Sequence, residues 1–210
     1  MKIKNILLTS AIVSCSFSLG AQEIVRTDAY VWKGDSILQG EFCAYAPSEH
    51  EIVSSYHAQP HYFMPVEQTW KLKNDISSYP KLKTSNTLHS AIFNMGLDEM
   101  VNAVEPDTTL RTGKEWAGVW TRDVSYSIIL SMAYMQPEAS MISLKKKVNA
   151  NGRIIQDTGS GGAWPISSDR MIWAVAAYEV YKVTGDKEWL KFIYPVIRNS
   201  FEDDFKTTHN

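Results

Sequence analysis

Apolar residues recur at helical spacing only from Ser85 onward. In the first such stretch, Leu88 to Val104, the apolar residues lie three or four positions apart, which predicts a helix. Ser85 or Asn86 is the candidate N-cap, and the helix should end before Pro106. Residues 22–84 instead carry short apolar clusters broken by glycine and proline. We therefore expect this N-terminal part to be an irregular segment with short strands and extended loops.

Four more helices follow the first one. The apolar pattern predicts them at residues 124–135, 138–148, 170–184 and 187–205. Asp123 opens the first of these, Pro137 can occupy the first turn of the second, and Asp169 is the expected N-cap of the third. Gly185 and Asp186 end the third helix and begin the fourth within two residues.

The last two predicted helices differ in how much of their surface is apolar. Met171 through Tyr178 is apolar on every face and should be buried all round, whereas the helix over 187–205 has one apolar face. A buried helix joined by a short turn to an amphipathic helix is typical of a hairpin with one inner and one outer helix. Such hairpins arranged in a ring form an α/α toroid. The expected fold class of the chain is therefore mainly α, a partial α/α toroid preceded by the irregular N-terminal segment with short strands.

The first 21 residues have the pattern of a secretory signal peptide. A charged start precedes a short apolar stretch, and small residues lead to Ala21. We therefore expect an exported protein, periplasmic or extracellular. Ile12 to Cys15 resembles a bacterial lipobox, so the mature chain is either released near Ala21 or lipid-anchored through Cys15. No later stretch is apolar for long enough to predict a membrane span.

The overall composition favours a neutral partner. A formal net charge of -2 predicts no basic surface for nucleic acid. Aromatic residues make up 11% of the chain, which suits a binding surface as well as a core. No metal or organic cofactor is expected. Pro60 breaks the helix that would place His57 and His61 on one face, and the glycine-rich stretch Gly159 to Gly162 lacks the residues of a phosphate-binding loop.

Two groups of residues have the chemistry of carbohydrate recognition. In the first, Trp116 and Trp120 can stack on apolar sugar faces, while Arg122 and Asp123 offer donors and acceptors to hydroxyl groups. The second group runs from Gly161 to Asp169. It also places an aromatic residue, Trp164, and polar residues before the start of a helix. The candidate substrate-binding residues are Trp120, Arg122, Asp123, Trp164 and Asp169. The structural alternative is that Asp123 only caps its helix, that Arg122 is its ion-pair partner, and that the tryptophans belong to the core.

Asp157 begins the sequence Asp-Thr-Gly-Ser, which also occurs in aspartic proteases. That chemistry needs two carboxylates that share a proton, supplied by two such loops set in β-sheet. Residues 1–210 contain one such loop, and predicted helices surround it. We therefore expect a glycine-rich turn here, with an aspartic-type protease as a minor alternative.

The segment Trp120-Thr-Arg-Asp123, the later Asp169 and the helical pair running from Tyr178 to Ser200 together resemble the six-hairpin glycosidases. Glucoamylases and bacterial glycogen-debranching-type proteins are members of that superfamily. The resemblance covers about residues 86–205 and implies the first part of an (α/α)6 six-hairpin toroid. It also implies a glycoside hydrolase acting on non-reducing ends of oligo- or polysaccharides such as α-glucans. Arg122 and Asp123 would grip the terminal sugar, with Trp164 and Asp169 lining the same pocket.

The same resemblance implies that the general acid and the general base lie beyond Asn210. The chain would then be an N-terminal fragment without activity of its own, and its inner helices over 124–135 and 171–178 would each keep an uncovered side. A non-catalytic glycan-binding protein, which keeps the aromatic subsite and lacks the two carboxylates, is the main alternative function. The sequence leaves the sugar, the linkage and the oligomeric state open.

Overall fold

The computed structural model describes residues 23–56, 69–157 and 168–207. The chain divides into two compact units, Met1–Asp98 and Glu99–Asn210, whereas the sequence places the boundary at residue 84. The predicted signal peptide, with Cys15, lies outside the described residues, as do His57, His61 and Trp164.

The first unit contains a six-stranded antiparallel sheet in which each strand pairs with the next in chain order. The strands are β1 (Glu23–Arg26), β2 (Val31–Lys33), β3 (Ser36–Gln39), β4 (Phe42–Ser48), β5 (Glu51–Ser54) and β6 (Thr69–Lys71). Gly40, in the tight turn between β3 and β4, has a φ of +57°, a conformation that glycine adopts at little cost.

Helix α1 (Thr87–Asn102) supplies the apolar partner of the sheet. Asn86 caps it, because its Oδ1 accepts the His89 N–H at 3.1 Å, which confirms one of the two expected starts. Leu88 and Ala91 are buried together with Ala46 of β4. The partly buried residues packed against this cluster are Trp32, Ile37, Ile52 and Trp70.

Asp98, near the end of α1, binds the segment that follows β6. Its carboxylate accepts hydrogen bonds from Trp70 Nε1 at 3.0 Å and from the Asn74 N–H at 3.0 Å, and its side chain is almost fully buried. Burial alone would raise the pKa of Asp98, but the hydrogen bonds from Trp70 and Asn74 outweigh it and hold the pKa below the ordinary aspartate value. The ionised carboxylate is therefore the form that stabilises this unit.

We expect Asp98→Asn to lower the free energy of unfolding of the first unit by about 1–3 kcal/mol, because an amide nitrogen would face N–H donors that then lack an acceptor. Because the folded-state pKa is depressed, the wild-type contribution is present above about pH 4 and is lost as the pH falls toward the lower folded-state pKa. Urea denaturation between pH 7 and pH 2 measures both effects.

The exposed Glu99, next along α1, provides the control for this measurement. Glu99→Gln should leave the unfolding free energy at neutral pH unchanged. An Asp98→Asn variant as stable as the wild type, with the same loss of stability in acid, would contradict the role of Asp98.

The second unit is helical. Helix α2 (Thr121–Ser127) continues through a π-helical turn (Ile128–Met132) and a last α-helical turn (Ala133–Met135), and α3 (Pro137–Lys146), α4 (Asp169–Thr184) and α5 (Lys187–Thr207) follow. All four predicted helices are therefore confirmed to within a few residues. Helix α4 packs against α2, α3 and α5.

Local chemistry explains the boundary between α4 and α5. Gly185 takes the left-handed conformation that ends α4, with a φ of +63°. Asp186 Oδ1 then accepts the N–H groups of Glu188 and Trp189, at 2.8 and 3.1 Å, and so caps α5. The predicted tight connection between these helices is confirmed.

The expected fold class, a mainly α partial (α/α)6 six-hairpin toroid, is wrong. The described residues form a six-stranded antiparallel sheet and five helices, which is a mixed α and β fold. Strands as short as three residues, such as β2 and β6, contain too few positions to show an alternating pattern. They are stabilised by pairing with a neighbouring strand, which the sequence of a single strand does not reveal.

Helix α4 is not buried all round, so that prediction is also wrong. Trp173 and Val180 are fully buried, but Met171, Val175 and Tyr178 are exposed. Helix α2 has a similar exposed row, consisting of Tyr126, Leu130 and Tyr134. Both helices therefore have a row of exposed apolar residues.

Candidate functional site

The loop before α2 is shaped by the hydroxyl group of Thr112. This hydroxyl donates to the Gly118 carbonyl at 3.0 Å and accepts the Trp120 N–H at 3.1 Å. The Thr112 N–H also donates to the Gly118 carbonyl, at 3.1 Å. Gly118 permits the turn because its φ is +82°, where a side chain would be strained. The backbone on both sides of Gly118 is thus held in place before any ligand binds.

Arg111 organises the other half of this loop. Its guanidinium group donates to the carbonyls of Gly113 and Lys114, both at 2.9 Å. The partly buried Glu105 lies 3.5 Å from Arg111 Nε and balances its charge. A loop held by side-chain contacts on both sides loses little conformational entropy on binding a ligand.

Trp116 and Trp120 form an exposed pair on this loop. Their ring centroids are 5.8 Å apart and the ring planes make an angle of 68°, an edge-to-face arrangement. Trp116 is 57% exposed and Trp120 is 40% exposed, so neither belongs to the core. This placement disfavours the structural alternative for the two tryptophans and leaves ring surface available for stacking.

Arg122 and Asp123 lie in the first turn of α2, after Trp120 and Thr121. The N-cap position is Trp120 itself, and no side chain at that position makes a capping hydrogen bond. Asp123 is exposed and Arg122 is half-buried. Among the described residues neither side chain has a hydrogen bond or an ion pair, not even with the other. Asp123 is therefore not a cap, and both side chains can bind a ligand.

Asp157 connects the first turns of α2 and α4. Its Oδ1 accepts the Thr121 N–H at 3.0 Å, and its own N–H donates to Asp169 Oδ2 at 2.8 Å. Lys147 forms an ion pair with the same Asp157 carboxylate. The two predicted groups thus begin helices whose first turns are linked.

Asp169 does not reach the surface where Trp120 and Asp123 lie. It is fully buried, and it holds the Asp157 backbone. Of the five predicted substrate-binding residues, the structure therefore brings Trp120, Arg122 and Asp123 together at the surface and places Asp169 behind them. Trp164 lies outside the described residues.

Sequence reasoning missed the supporting residues of this site, Arg111, Thr112 and Lys147. Lys147 follows the end of α3, where a cation suits the helix dipole, and nothing near it in the sequence indicates a partner. It meets Asp157 because the chain reverses around Gly152, whose φ is +65°. A bridge between Val148 and Ile154 holds this reversal.

The surroundings of Asp157 also bear on the protease alternative. Its carboxylate is engaged by Lys147 and Thr121, whereas an aspartic protease needs a second carboxylate that shares a proton with the first. Residues 158–160, which complete the Asp-Thr-Gly-Ser sequence, lie outside the described residues. The contacts of Asp157 therefore favour a structural role.

Comparison with known proteins assigns no family. No protein-family model matches the chain, and no curated protein or solved structure is similar enough to count as a match. Across residues 23–56, 69–157 and 168–207, no group of acidic, histidine or cysteine residues could hold a metal ion. None of the helices there is long and apolar enough to cross a membrane.

Proposed function

We propose that this protein is exported and that it binds the non-reducing end of a neutral glycan, as the substrate-binding part of a glycoside hydrolase. One observation carries the proposal. Two exposed indole rings lie on a braced loop, beside an arginine and an aspartate whose side chains have no partner among the described residues. Monosaccharide rings have an apolar face and a polar rim, and this site offers a surface for each.

In this proposal the indole rings bind the apolar face of a sugar, and Arg122 and Asp123 bind its hydroxyl groups. The exposed face of an indole ring can cover the C–H groups of one sugar, and the second ring, inclined by 68°, borders that sugar on one side. The guanidinium group of Arg122 offers several N–H donors, and the Asp123 carboxylate offers two acceptor oxygens to neighbouring hydroxyls. Hydrogen bonds to these charged groups are stronger than neutral ones.

Hydrolysis would need two carboxylates on either side of the glycosidic bond, one as acid and one as base or nucleophile. Asp123 is exposed, but Asp157 is held by Lys147 and Thr121, and Asp169 is fully buried. The site as described therefore supports binding, and the acid and base would come from other residues. This observation also favours a second candidate function, a non-catalytic glycan-binding protein.

Asp123→Asn is expected to weaken glycan binding about tenfold or more, because it removes charge-assisted hydrogen bonds worth about 1.5–3 kcal/mol each. The melting temperature should change little, since Asp123 is exposed and does not cap α2. Calorimetric titration with a panel of neutral α- and β-linked oligosaccharides of glucose, mannose and xylose measures the effect.

Glu138, the acidic residue in the first turn of α3, is the matched control. Glu138→Gln changes the charge near a helix start in the same way and should leave binding unaffected. Wild-type affinity in Asp123→Asn, or no binding of any oligosaccharide by the wild type, would overturn the proposed site. Reducing-end release from a bound oligosaccharide would identify a hydrolase, and binding without release would identify the non-catalytic alternative.

A further inference from the structure

We infer that Asp157 is a positioning residue of the glycan site, an inference that rests on the function proposed above. Asp157 does not lie on the exposed surface with Trp120 and Asp123. It acts on them through the backbone of α2, which begins at Thr121.

Asp157 replaces the missing N-cap side chain of α2. A helix begins with N–H groups that have no partner within the helix, and a cap residue normally accepts one of them. Trp120, at the cap position, has no oxygen in its side chain. The Asp157 carboxylate accepts the Thr121 N–H instead, from 36 residues further along the chain. A carboxylate at this end also interacts favourably with the helix dipole.

The position of Asp157 is itself fixed by two further residues. Its N–H is held by the fully buried Asp169, in the first turn of α4. Its carboxylate pairs with Lys147, and the two side chains are only 24% and 14% exposed. Removing one partner of an ion pair that is this buried leaves the other charge without compensation. Lys147 therefore supplies the positive charge beside the carboxylate at the start of α2.

Consecutive peptide groups are thus held from two directions. The Trp120 N–H is bound by Thr112, and the Thr121 N–H is bound by Asp157. Together these contacts set the direction in which Trp120 leaves the loop and in which Arg122 and Asp123 leave α2. Without Asp157 the first turn of α2 would fray, and a bound glycan would have to order it again.

Asp157→Asn tests this role with little change in shape. We expect glycan affinity to fall roughly fivefold, because the neutral amide loses the partly buried ion pair with Lys147 that holds this side chain against the start of α2. Circular dichroism of the free protein should also change, because the transitions of two indole rings 5.8 Å apart are coupled and depend on their mutual angle. Lys147→Gln should lower glycan affinity and change the indole circular dichroism in the same direction, but less. Asp157→Glu should recover part of the indole circular dichroism that Asp157→Asn loses.

Asp107 provides the matched control, since it pairs with Lys146, the neighbour of Lys147, at 2.7 Å. Asp107→Asn removes an aspartate–lysine pair from the same helix end and should change neither affinity nor the indole signal. A merely structural role would lower the melting temperature of Asp157→Asn while the folded protein kept wild-type affinity and indole signal, and this result would overturn the inference.

The outcome also separates this inference from the proposed function. If the wild type binds glycan and Asp123→Asn weakens binding while Asp157→Asn does not, the positioning role alone fails. If the wild type binds no glycan, the proposed function fails, and the positioning role in glycan binding falls with it. The indole signal of the free protein then reports only whether Asp157 orients Trp120.

Discussion

Trp173→Ala is expected to lower the free energy of unfolding of the second unit by about 3–5 kcal/mol. Trp173 is fully buried on α4, the helix that packs against α2, α3 and α5, and its Nε1 donates to the Leu144 carbonyl at 3.1 Å. Truncation leaves a cavity between these helices and removes one of the two N–H donors to that carbonyl, which also accepts the Lys147 N–H. Since domains are typically stable by about 5–15 kcal/mol, a large part of the stability would be lost.

Urea denaturation followed by circular dichroism at 222 nm measures this change. Tyr194→Ala is the control, because Tyr194 is an aromatic residue on α5 with 66% of its surface exposed. That variant should stay within about 0.5 kcal/mol of the wild type. A loss of less than about 1 kcal/mol in Trp173→Ala would show that α4 is not the central helix of this unit.

Trp120→Ala is expected to weaken glycan binding about 30-fold or more, the effect of removing a tryptophan at the centre of a binding site. The ring is exposed and lies edge-to-face with Trp116, so its loss removes stacking surface and also frees the Trp116 ring to reorient. Folding should be little affected, since Trp120 is not part of the core. Titration calorimetry with the best-bound oligosaccharide measures the loss.

Two further variants test whether the loss of binding in Trp120→Ala is specific to an aromatic ring at this position. Trp120→Phe keeps an aromatic face and should recover part of the affinity. Tyr134→Ala removes an exposed aromatic residue from the α-helical turn Ala133–Met135, more than three helical turns beyond Trp120, and should bind as the wild type does. Equal losses in Trp120→Ala and Tyr134→Ala would indicate non-specific apolar binding and would contradict a defined glycan site.

The candidate site was only partly visible in the sequence. Trp116, Trp120, Arg122 and Asp123 stand close together in the chain, so their combined chemistry could be recognised as a pattern. Whether Asp123 caps its helix or faces solvent could not, because both arrangements have the same sequence. The structure decides between them by placing Trp120 at the cap position and leaving the Asp123 side chain exposed.

The sequence by itself determined several of the helix ends, although the starts of α2 and α4 differ from the predicted caps Asp123 and Asp169. Asn86, Pro137 and the pair Gly185 and Asp186 act on backbone groups within a few residues of themselves, so their effects can be recognised locally. Only the tertiary structure decided that the short clusters before α1 pair as a sheet, that one side of α4 is exposed, and that Asp157 holds the start of α2. Each depends on contacts between separate segments, and the residue types in one segment do not specify which other segment will lie beside it.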